Sequence, residues 1–296
     1  MSTTSLSLKG FATLILLAMI WGSSFTFIKV ALETINPLSI AAGRISLAAV
    51  VLLSIAYIRK ETFPRELNIW GWLLALAVLG NAAPFFLIGW GEHNVDSGMT
   101  SVLMSVVPLT VPIMAHFFTD DEKLTPYMMI GVVIGFTGLI VLIGPETLLG
   151  LGEDLISQGA IVLAALCYGA ASLVARRLRH VPFMVVASGS MILAAAMMLP
   201  TSLIIDQPWT FTPDLLHWGA IIYLGLFPTA LANILLLQVI NSSGVSFLAL
   251  NNYLVPVFGV AIAALTLGED IPAEMVTAMG IIFFGIFVSN LKRKSG

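Results

Sequence analysis

The sequence predicts an all-α integral membrane protein of ten transmembrane helices, arranged as two inverted five-helix repeats. The first observation is composition, since 58% of the 296 residues are hydrophobic and 10% are charged, against roughly 25% charged residues in soluble domains. The mean hydropathy is +1.01. The second observation is a series of ten apolar runs. The third is a set of matching residues that recur at a spacing of 145 to 147 positions.

Each predicted span is a continuous apolar run of about 20 residues, long enough to cross the hydrocarbon core at about 1.5 Å rise per residue. Continuous runs exclude a transmembrane β-barrel, whose strands alternate in polarity. The short connections leave no room for a soluble domain. In chain order the spans are Leu8–Val30, Pro37–Ile58, Asn68–Trp90, Gly98–Phe118, Leu124–Ile143, Ser157–Ala175, Pro182–Ile205, Leu215–Val239, Gly244–Leu267 and Pro272–Leu291.

Residues 1–146 are predicted to form the first five-helix repeat and residues 147–296 the second. Five spans is an odd number, so the second copy crosses the membrane in the opposite sense to the first, as in inverted-repeat transporters. The matched pairs are Trp21 with Tyr168, Pro37 with Pro182, Gly80 with Gly225, and Gly138 with Gly285.

Basic residues cluster on one side of the predicted membrane, and this side faces the cytoplasm by the positive-inside rule. Of the 13 Lys and Arg residues, 11 fall on this side, and the other two, Lys29 and Arg44, lie within or at the end of a span. Both termini are therefore expected in the cytoplasm. The clustered residues are Lys9, Arg59, Lys60, Arg65, Lys123, Arg176, Arg177, Arg179, Lys292, Arg293 and Lys294. The opposite loops carry Glu33, Glu92, Asp96, Glu146, Glu153, Asp154, Asp206, Asp214, Glu269 and Asp270, without Lys or Arg.

Span one is too long for the apolar core of a secretory signal, so we expect a retained helix.

Span two contains Arg44, the one full charge clearly inside a span, about 10 Å below the outer surface by the helical rise from Pro37. A buried, unpaired guanidinium is costly. Two roles are open for it: a structural tether to Glu33 or to freed backbone carbonyls, and the binding of a substrate carboxylate.

Spans three, four, eight and nine combine polar side chains with prolines, which free carbonyls and allow bends. A single intramembrane Asn commonly makes a helix-to-helix hydrogen bond of about 0.6 kcal/mol. The convergence of several amides beside prolines instead predicts one water-accessible cavity. The amides are Asn81, Asn233, Asn251 and Asn252, with Gln238 at a similar depth, and the prolines are Pro84, Pro108, Pro228 and Pro256.

These four prolines are the predicted hinges of the gates, whereas spans five and ten are predicted to hold the scaffold. Neither of those two spans has an interior proline, and their small residues favour close helix packing. The glycines concerned are Gly131, Gly135 and Gly138 in span five, and Gly280 and Gly285 in span ten.

Aromatic side chains form a candidate wall for an amphiphilic substrate. Trp90 lies at a span end, which is typical of the interfacial belt. Trp21 and Tyr168 are deeper and occupy equivalent repeat positions, so we predict both as substrate-binding residues. The other candidates are Phe25, Phe85 and Tyr253.

The sequence predicts no catalytic residue, no metal site and no cofactor. It lacks H-E-x-x-H and a pair of intramembrane aspartates, and its single cysteine, Cys167, excludes an intramolecular disulfide. The acidic run at Asp120, Asp121 and Glu122 favours a solvated turn over half of a metal site. Because no Asp or Glu lies near the middle of a span, transport without ion coupling is expected.

The order of these motifs resembles the EamA-type members of the drug/metabolite transporter superfamily. The resemblance rests on W-G-S-S at Trp21–Ser24, on Pro37 to Arg44, and on P-x(13)-E-K-L from Pro108 to Leu124, echoed by Pro256 to Ile271. The acidic turn before Lys123 departs from the apolar-Gly-Glu pattern of that family. Within the family, the chain is similar to YddG-type amino acid exporters.

The resemblance implies a multi-pass protein of the bacterial inner membrane. It also implies export of amino acids, with aromatic ones as one option, or of similar small metabolites, by alternating access. The expected partners are a small-molecule substrate and the lipid bilayer, with no nucleic acid. The oligomeric state stays open and is compatible with a monomer. A membrane-embedded receptor or scaffold is the alternative, and a solid core in place of a cavity would favour it.

Overall fold

The computed structural model describes residues 8–118, 124–144, 153–243 and 245–291, and every regular element within those ranges is a helix. Several predictions fall outside them. These concern the acidic turn at 120–122, the boundary between repeats at 146, and the basic residues Lys123, Lys292, Arg293 and Lys294.

Ten helical spans follow one another along the described chain, which confirms the predicted fold class. Nine of these ten spans are long and apolar enough to cross a membrane unaided. The remaining span has a shorter continuous helix of 17 residues, Asn251–Leu267. The spans are α1 Leu8–Leu32, α2 Pro37–Ile58, α3 Leu67–Gly91, α4 Ser97–Phe118, α5 Pro126–Ile143, α6 Glu153–Arg177, α7 Phe183–Ile205, α8 with the segments Leu215–Leu224, Gly225–Leu231 and Ala232–Ser243, α9 with the segments Val245–Leu248 and Asn251–Leu267, and α10 Ala273–Asn290.

Ten crossings return the chain to the end of the bundle where α1 begins. We call this end the near end and the opposite one the far end. Several helices begin at residues that supply their own cap. Pro126 opens α5 after Thr125, whose hydroxyl accepts from the Met128 N–H at 3.3 Å. Asp214 caps α8 by accepting the N–H groups of Leu216 and His217 at 2.8 and 3.2 Å. Such caps satisfy backbone donors that the first turn leaves free.

Helices pair across the two predicted halves: α5 lies along α10, α2 along α7, α1 along α9, and α4 along α6. Glycines permit the closest of these approaches. A Cβ added to Gly285 would lie 2.6 Å from the Gly131 carbonyl oxygen, and one added to Gly22 would lie 2.8 Å from the Gly259 nitrogen. The inverted repeat would produce this exchange of partners, and the repeat itself remains a prediction.

Gly280 does not contribute to this packing, so the prediction for that residue is wrong. An added Cβ at Gly280 would meet no atom within 4 Å. The faces of α5 and α10 that point away from the other helices are apolar, as contact with lipid tails requires. Val133 in α5 and Phe284 in α10 are 66% and 57% exposed although both lie well inside their spans.

Four spans are irregular, and they are the four that contain the predicted hinge prolines Pro84, Pro108, Pro228 and Pro256. In α3 and α8 the irregularity is a π-helical segment, Val78–Ala82 and Gly225–Leu231 respectively. α4 is interrupted between Met104 and Val107. α9 is interrupted between Leu248 and Asn251, so its break precedes the predicted one and Asn251 begins the longer helix. Each irregularity frees backbone groups that need other partners.

Candidate functional site

A cavity of about 390 Å³ lies between the four irregular spans, within the range of small-molecule sites, about 300–1,000 Å³. Every span except α5 and α10 contributes to its wall. By helical rise, Ile28 lies about 6 Å from the far end of α1, whereas Asn251 lies about 24 Å from the far end of α9. The lining therefore extends across roughly 18 Å of depth and past the middle of the bundle.

The structure brings all seven predicted binding residues onto this one wall. Two of the four predicted hinge prolines also line it, whereas Pro84 and Pro108 do not. Gln238 is exposed and away from the cavity, so its inclusion among the converging amides is wrong. The residues that do line it are Trp21, Arg44, Asn81, Tyr168, Asn233, Asn251 and Asn252, with Pro228 and Pro256.

The predicted aromatic wall divides into two groups. Phe25 and Phe85 line the cavity beside Trp21 and Tyr168. Tyr253 instead packs edge-on against Phe283 of α10, with ring centroids 5.3 Å apart. Trp90 is 39% exposed at the end of α3, where an interfacial residue is expected.

Several lining residues carried too little signal for the sequence to single them out. The most important is Thr229, whose position next to Pro228 was the available clue, because a proline leaves a carbonyl that a nearby hydroxyl can bind. The others are apolar or small residues within apolar runs: Ser24, Ile28, Met104, Met191 and Val255.

Arg44 is held by Thr229 and by an aromatic face. Its Nε and Nη2 donate to the Thr229 hydroxyl at 3.2 and 3.1 Å, and its guanidinium carbon lies 3.9 Å from the Phe85 ring centroid. The Thr229 hydroxyl in turn donates to the Leu224 carbonyl at 2.7 Å. Pro228 lacks the N–H that a regular helix would offer to this carbonyl. The irregular segment thus builds the acceptor for Arg44.

No carboxylate within the described ranges lies at ion-pair distance from Arg44. The tether to Glu33, one of the roles left open for Arg44, is not formed, because Glu33 Oε2 lies 3.2 Å from His217 Nε2 instead. Arg44 is 4% exposed. A desolvated guanidinium is costly without a partner charge, and none of the described residues of the cavity wall supplies one.

Two buried oxygens on the cavity wall also lack a hydrogen-bond partner. They are Oδ1 of Asn251 and the hydroxyl of Ser101. By contrast, Asn233 donates to the Thr229 carbonyl at 2.6 Å, and Asn81 donates to the Leu76 carbonyl at 3.4 Å. Because a buried polar atom without a partner costs about 1–3 kcal/mol, Asn251 and Ser101 are positions where a ligand would gain hydrogen bonds.

Polar contacts join neighbouring spans at the far end. Glu269, after α9, accepts from the N–H and hydroxyl of Ser97 at 2.9 and 2.6 Å and from the Gly98 N–H at 2.8 Å. Asp206, after α7, accepts from the N–H and hydroxyl of Ser39 at 2.9 and 2.7 Å. In each case a carboxylate binds the first turn of a helix, α4 or α2, where the helix dipole favours negative charge. These contacts join α9 to α4 and α7 to α2 at the far end.

Glu92 follows directly after α3 and is fully buried, with both carboxyl oxygens lacking a hydrogen-bond partner. Lys29 lies nearby and donates to the Glu92 and Val95 carbonyl oxygens at 2.7 and 3.0 Å. Burial raises the pKa of the Glu92 carboxyl well above its usual value, against an opposing effect of Lys29. Glu92 therefore favours the neutral acid at the far end.

Comparisons with known proteins show which family and which relatives this ten-helix chain matches. The EamA-like transporter family matches residues 8–144 and again 156–291. The uncharacterized transporter YoaV of Bacillus subtilis is 26% identical over 94% of this chain and 95% of its own. The uncharacterized inner membrane transporter YedA of Escherichia coli K12 is 26% identical over 95% and 90%.

An uncharacterized transporter of Archaeoglobus fulgidus is 24% identical over 97% of this chain and its own full length. A solved crystal structure aligns over 98% of each chain with a TM-score of 0.68 and 20% identity, which shows a shared fold alone. Since the family matches cover nearly the whole chain, this multi-pass membrane protein belongs to the EamA-like transporter family.

Proposed function

We propose that the protein is a secondary transporter that exports amino acids or similar small metabolites across the bacterial inner membrane by alternating access. The observation that carries this proposal is the cavity, which combines amides, one guanidinium and aromatic faces past mid-depth of the bundle. Small-molecule sites have this composition, with a mostly apolar lining and a few placed polar groups. The likeness to YddG-type exporters supports amino acids as the first compounds to test.

A receptor or scaffold without transport activity is the competing function. A scaffold has no need of an internal polar cavity, whose unpartnered oxygens and unpaired Arg44 cost stability. A receptor has no need of a cavity that extends past the middle of the bundle. The cavity therefore favours transport. Placement of the near end in the cytoplasm rests on the basic residues clustered there, such as Arg59 and Arg177. The inner membrane location agrees with the printed name of the Escherichia coli relative.

The far-end contacts of Glu269 and Asp206 then act as the closed outer gate, and substrate reaches the cavity from the cytoplasmic side. Opening requires the irregular spans to bend. The hinges are Pro84, Pro108, Pro228 and Pro256, because a missing backbone hydrogen bond makes those points cheapest to deform. α5 and α10 contribute nothing to the cavity wall and pack through glycines, which suits a static scaffold.

Reconstitution into liposomes with a panel of radiolabelled amino acids tests the proposal. The wild-type protein should support counterflow and net efflux of at least one compound, with the pH and Na⁺ gradients both set to zero. Asn233→Leu should abolish this flux. Gln238→Leu, five residues later on the same span and exposed, should leave it intact. Loss of flux in both variants would contradict a cavity-based transporter. So would a wild-type protein that gives no more flux than empty liposomes.

A further inference from the structure

We infer that the cavity selects an organic anion with a single carboxylate and an apolar body, and that the membrane potential drives its export. This inference rests on the proposed function and narrows its substrate class. Among the described residues that line the cavity, Arg44 alone carries a full charge.

The charge balance of the cavity favours a monoanion. Arg44 has Thr229 as its hydrogen-bond partner within the described chain and uses two of its guanidinium donor groups, Nε and Nη2, on that one oxygen. A guanidinium has five N–H donors in a planar fork that fits a carboxylate. The remaining donors are available to a ligand. A monoanion would neutralise the site, whereas a zwitterion would leave it with a net charge of +1 inside the protein.

The ammonium group of an amino acid finds no charged partner on this wall. No Asp or Glu occurs among the described residues of the lining. Neutral acceptors are present, and Asn251 Oδ1 and the Ser101 hydroxyl are the buried ones without a partner. A hydroxyl or amide N–H on the ligand would satisfy either oxygen without adding a positive charge. The apolar body would lie against Phe85, over which Arg44 is already stacked at 3.9 Å.

The consequence is electrical. Arg44 belongs to the wall and does not cross the membrane, so each transport cycle would move one negative charge outward. A cytoplasm-negative potential favours this direction by about 2.3 kcal/mol per 100 mV, equivalent to roughly 50-fold in the concentration ratio. Export would then need no coupling ion. This agrees with a cavity lining that holds no carboxylate among its described residues.

Four probes that share one phenyl body separate charge from shape: 3-phenyllactate as the monoanion, phenylalanine as the zwitterion, phenylalaninamide as the cation and 2-phenylethanol as the neutral compound. Calorimetric binding to the intact protein in nanodiscs should favour phenyllactate about 10- to 100-fold over the others, the range expected when a charged group gains its partner. Arg44→Met should remove that preference, and Arg44→Lys should retain part of it. Equal binding of all four probes, or no binding of any, would overturn the inference.

A variant-free measurement covers the case in which Arg44→Met does not fold. In liposomes that contain wild-type protein and phenyllactate, an interior-negative potassium diffusion potential should accelerate efflux, and a reversed potential should retard it. Flux that does not change with the membrane potential would overturn the claim that the potential drives export. Selective binding without any flux would refute the transport function and support the anion site. Potential-independent phenylalanine flux that survives Arg44→Met would refute the anion site and support transport.

Discussion

The contact between Arg44 and Thr229 offers the most quantitative test of the site. Thr229→Val keeps the β-branched shape and removes the hydroxyl. The variant loses the two Arg44 bonds at 3.2 and 3.1 Å and the bond to the Leu224 carbonyl at 2.7 Å. Since the two Arg44 donors share one oxygen, they count as about one bond.

The expected coupling free energy between Arg44 and Thr229 lies between two reference values. Hydrogen bonds to charged groups contribute about 1.5–3 kcal/mol in soluble proteins, whereas neutral bonds between membrane helices average about 0.6 and reach about 1.7 kcal/mol. We therefore expect a coupling of about 1.5 kcal/mol between Arg44 and Thr229. The unpartnered Leu224 carbonyl adds about 1 kcal/mol to the cost of Thr229→Val.

A double-mutant cycle measures the coupling. The free energy of unfolding in mixed micelles with increasing SDS would be determined for wild type, Thr229→Val, Arg44→Met and the double variant. Thr229→Ser is the matched control, because it keeps the hydroxyl and should cost less than about 1 kcal/mol. Additive effects within about 0.5 kcal/mol would refute the claim that Thr229 positions the guanidinium.

Three further predictions concern the gates and the far end. Glu269→Ala should expose the N–H groups of Ser97 and Gly98 and speed hydrogen exchange in the first turn of α4 about fivefold, as the loss of a cap of about 1 kcal/mol implies; unchanged exchange would argue against a lock. Pro256→Ala should slow turnover more than it weakens binding when both are measured on the same purified variant, since it rigidifies a hinge and leaves the cavity groups in place; unchanged turnover would mean that the proline only shapes a static bundle. Burial raises the pKa of Glu92, so the folded protein keeps a proton that the unfolded chain releases. The free energy of unfolding should therefore fall as the pH rises towards the raised folded pKa. Glu92→Gln should flatten this pH dependence, and an identical slope in both proteins would mean that another group causes it.

The spans and most of the site were predictable because each depends on local chemistry. Continuous apolar runs leave a chain no stable option in a bilayer except helices, and Pro37 marks a helix start through its fixed φ. The amides of Asn81, Asn233 and Asn251 converge since a polar group in hydrocarbon must face protein or water. These arguments need no knowledge of the tertiary structure.

The remaining features depend on which face of a helix turns inward, and the sequence carries little record of that. Gln238 and Asn233 are the same kind of residue on the same span, yet only Asn233 reaches the cavity. Gly280 and Gly285 share α10, and only Gly285 meets α5. Thr229 was missed because hydroxyls are common in apolar helices, where they bond to their own backbone. Its importance appears only once Arg44 lies opposite.

The most direct test of the account is the accessibility of Asn251 from water. Cys167 is the only cysteine, so Cys167→Ser gives a cysteine-free background in a single step. Asn251→Cys on this background should react with a charged, water-soluble methanethiosulfonate, and a transported compound should slow the reaction. Gln238→Cys, exposed outside the cavity, should show no such protection. A cysteine at 251 that stays unreactive, or that reacts equally fast with saturating substrate present, would contradict a substrate-binding cavity.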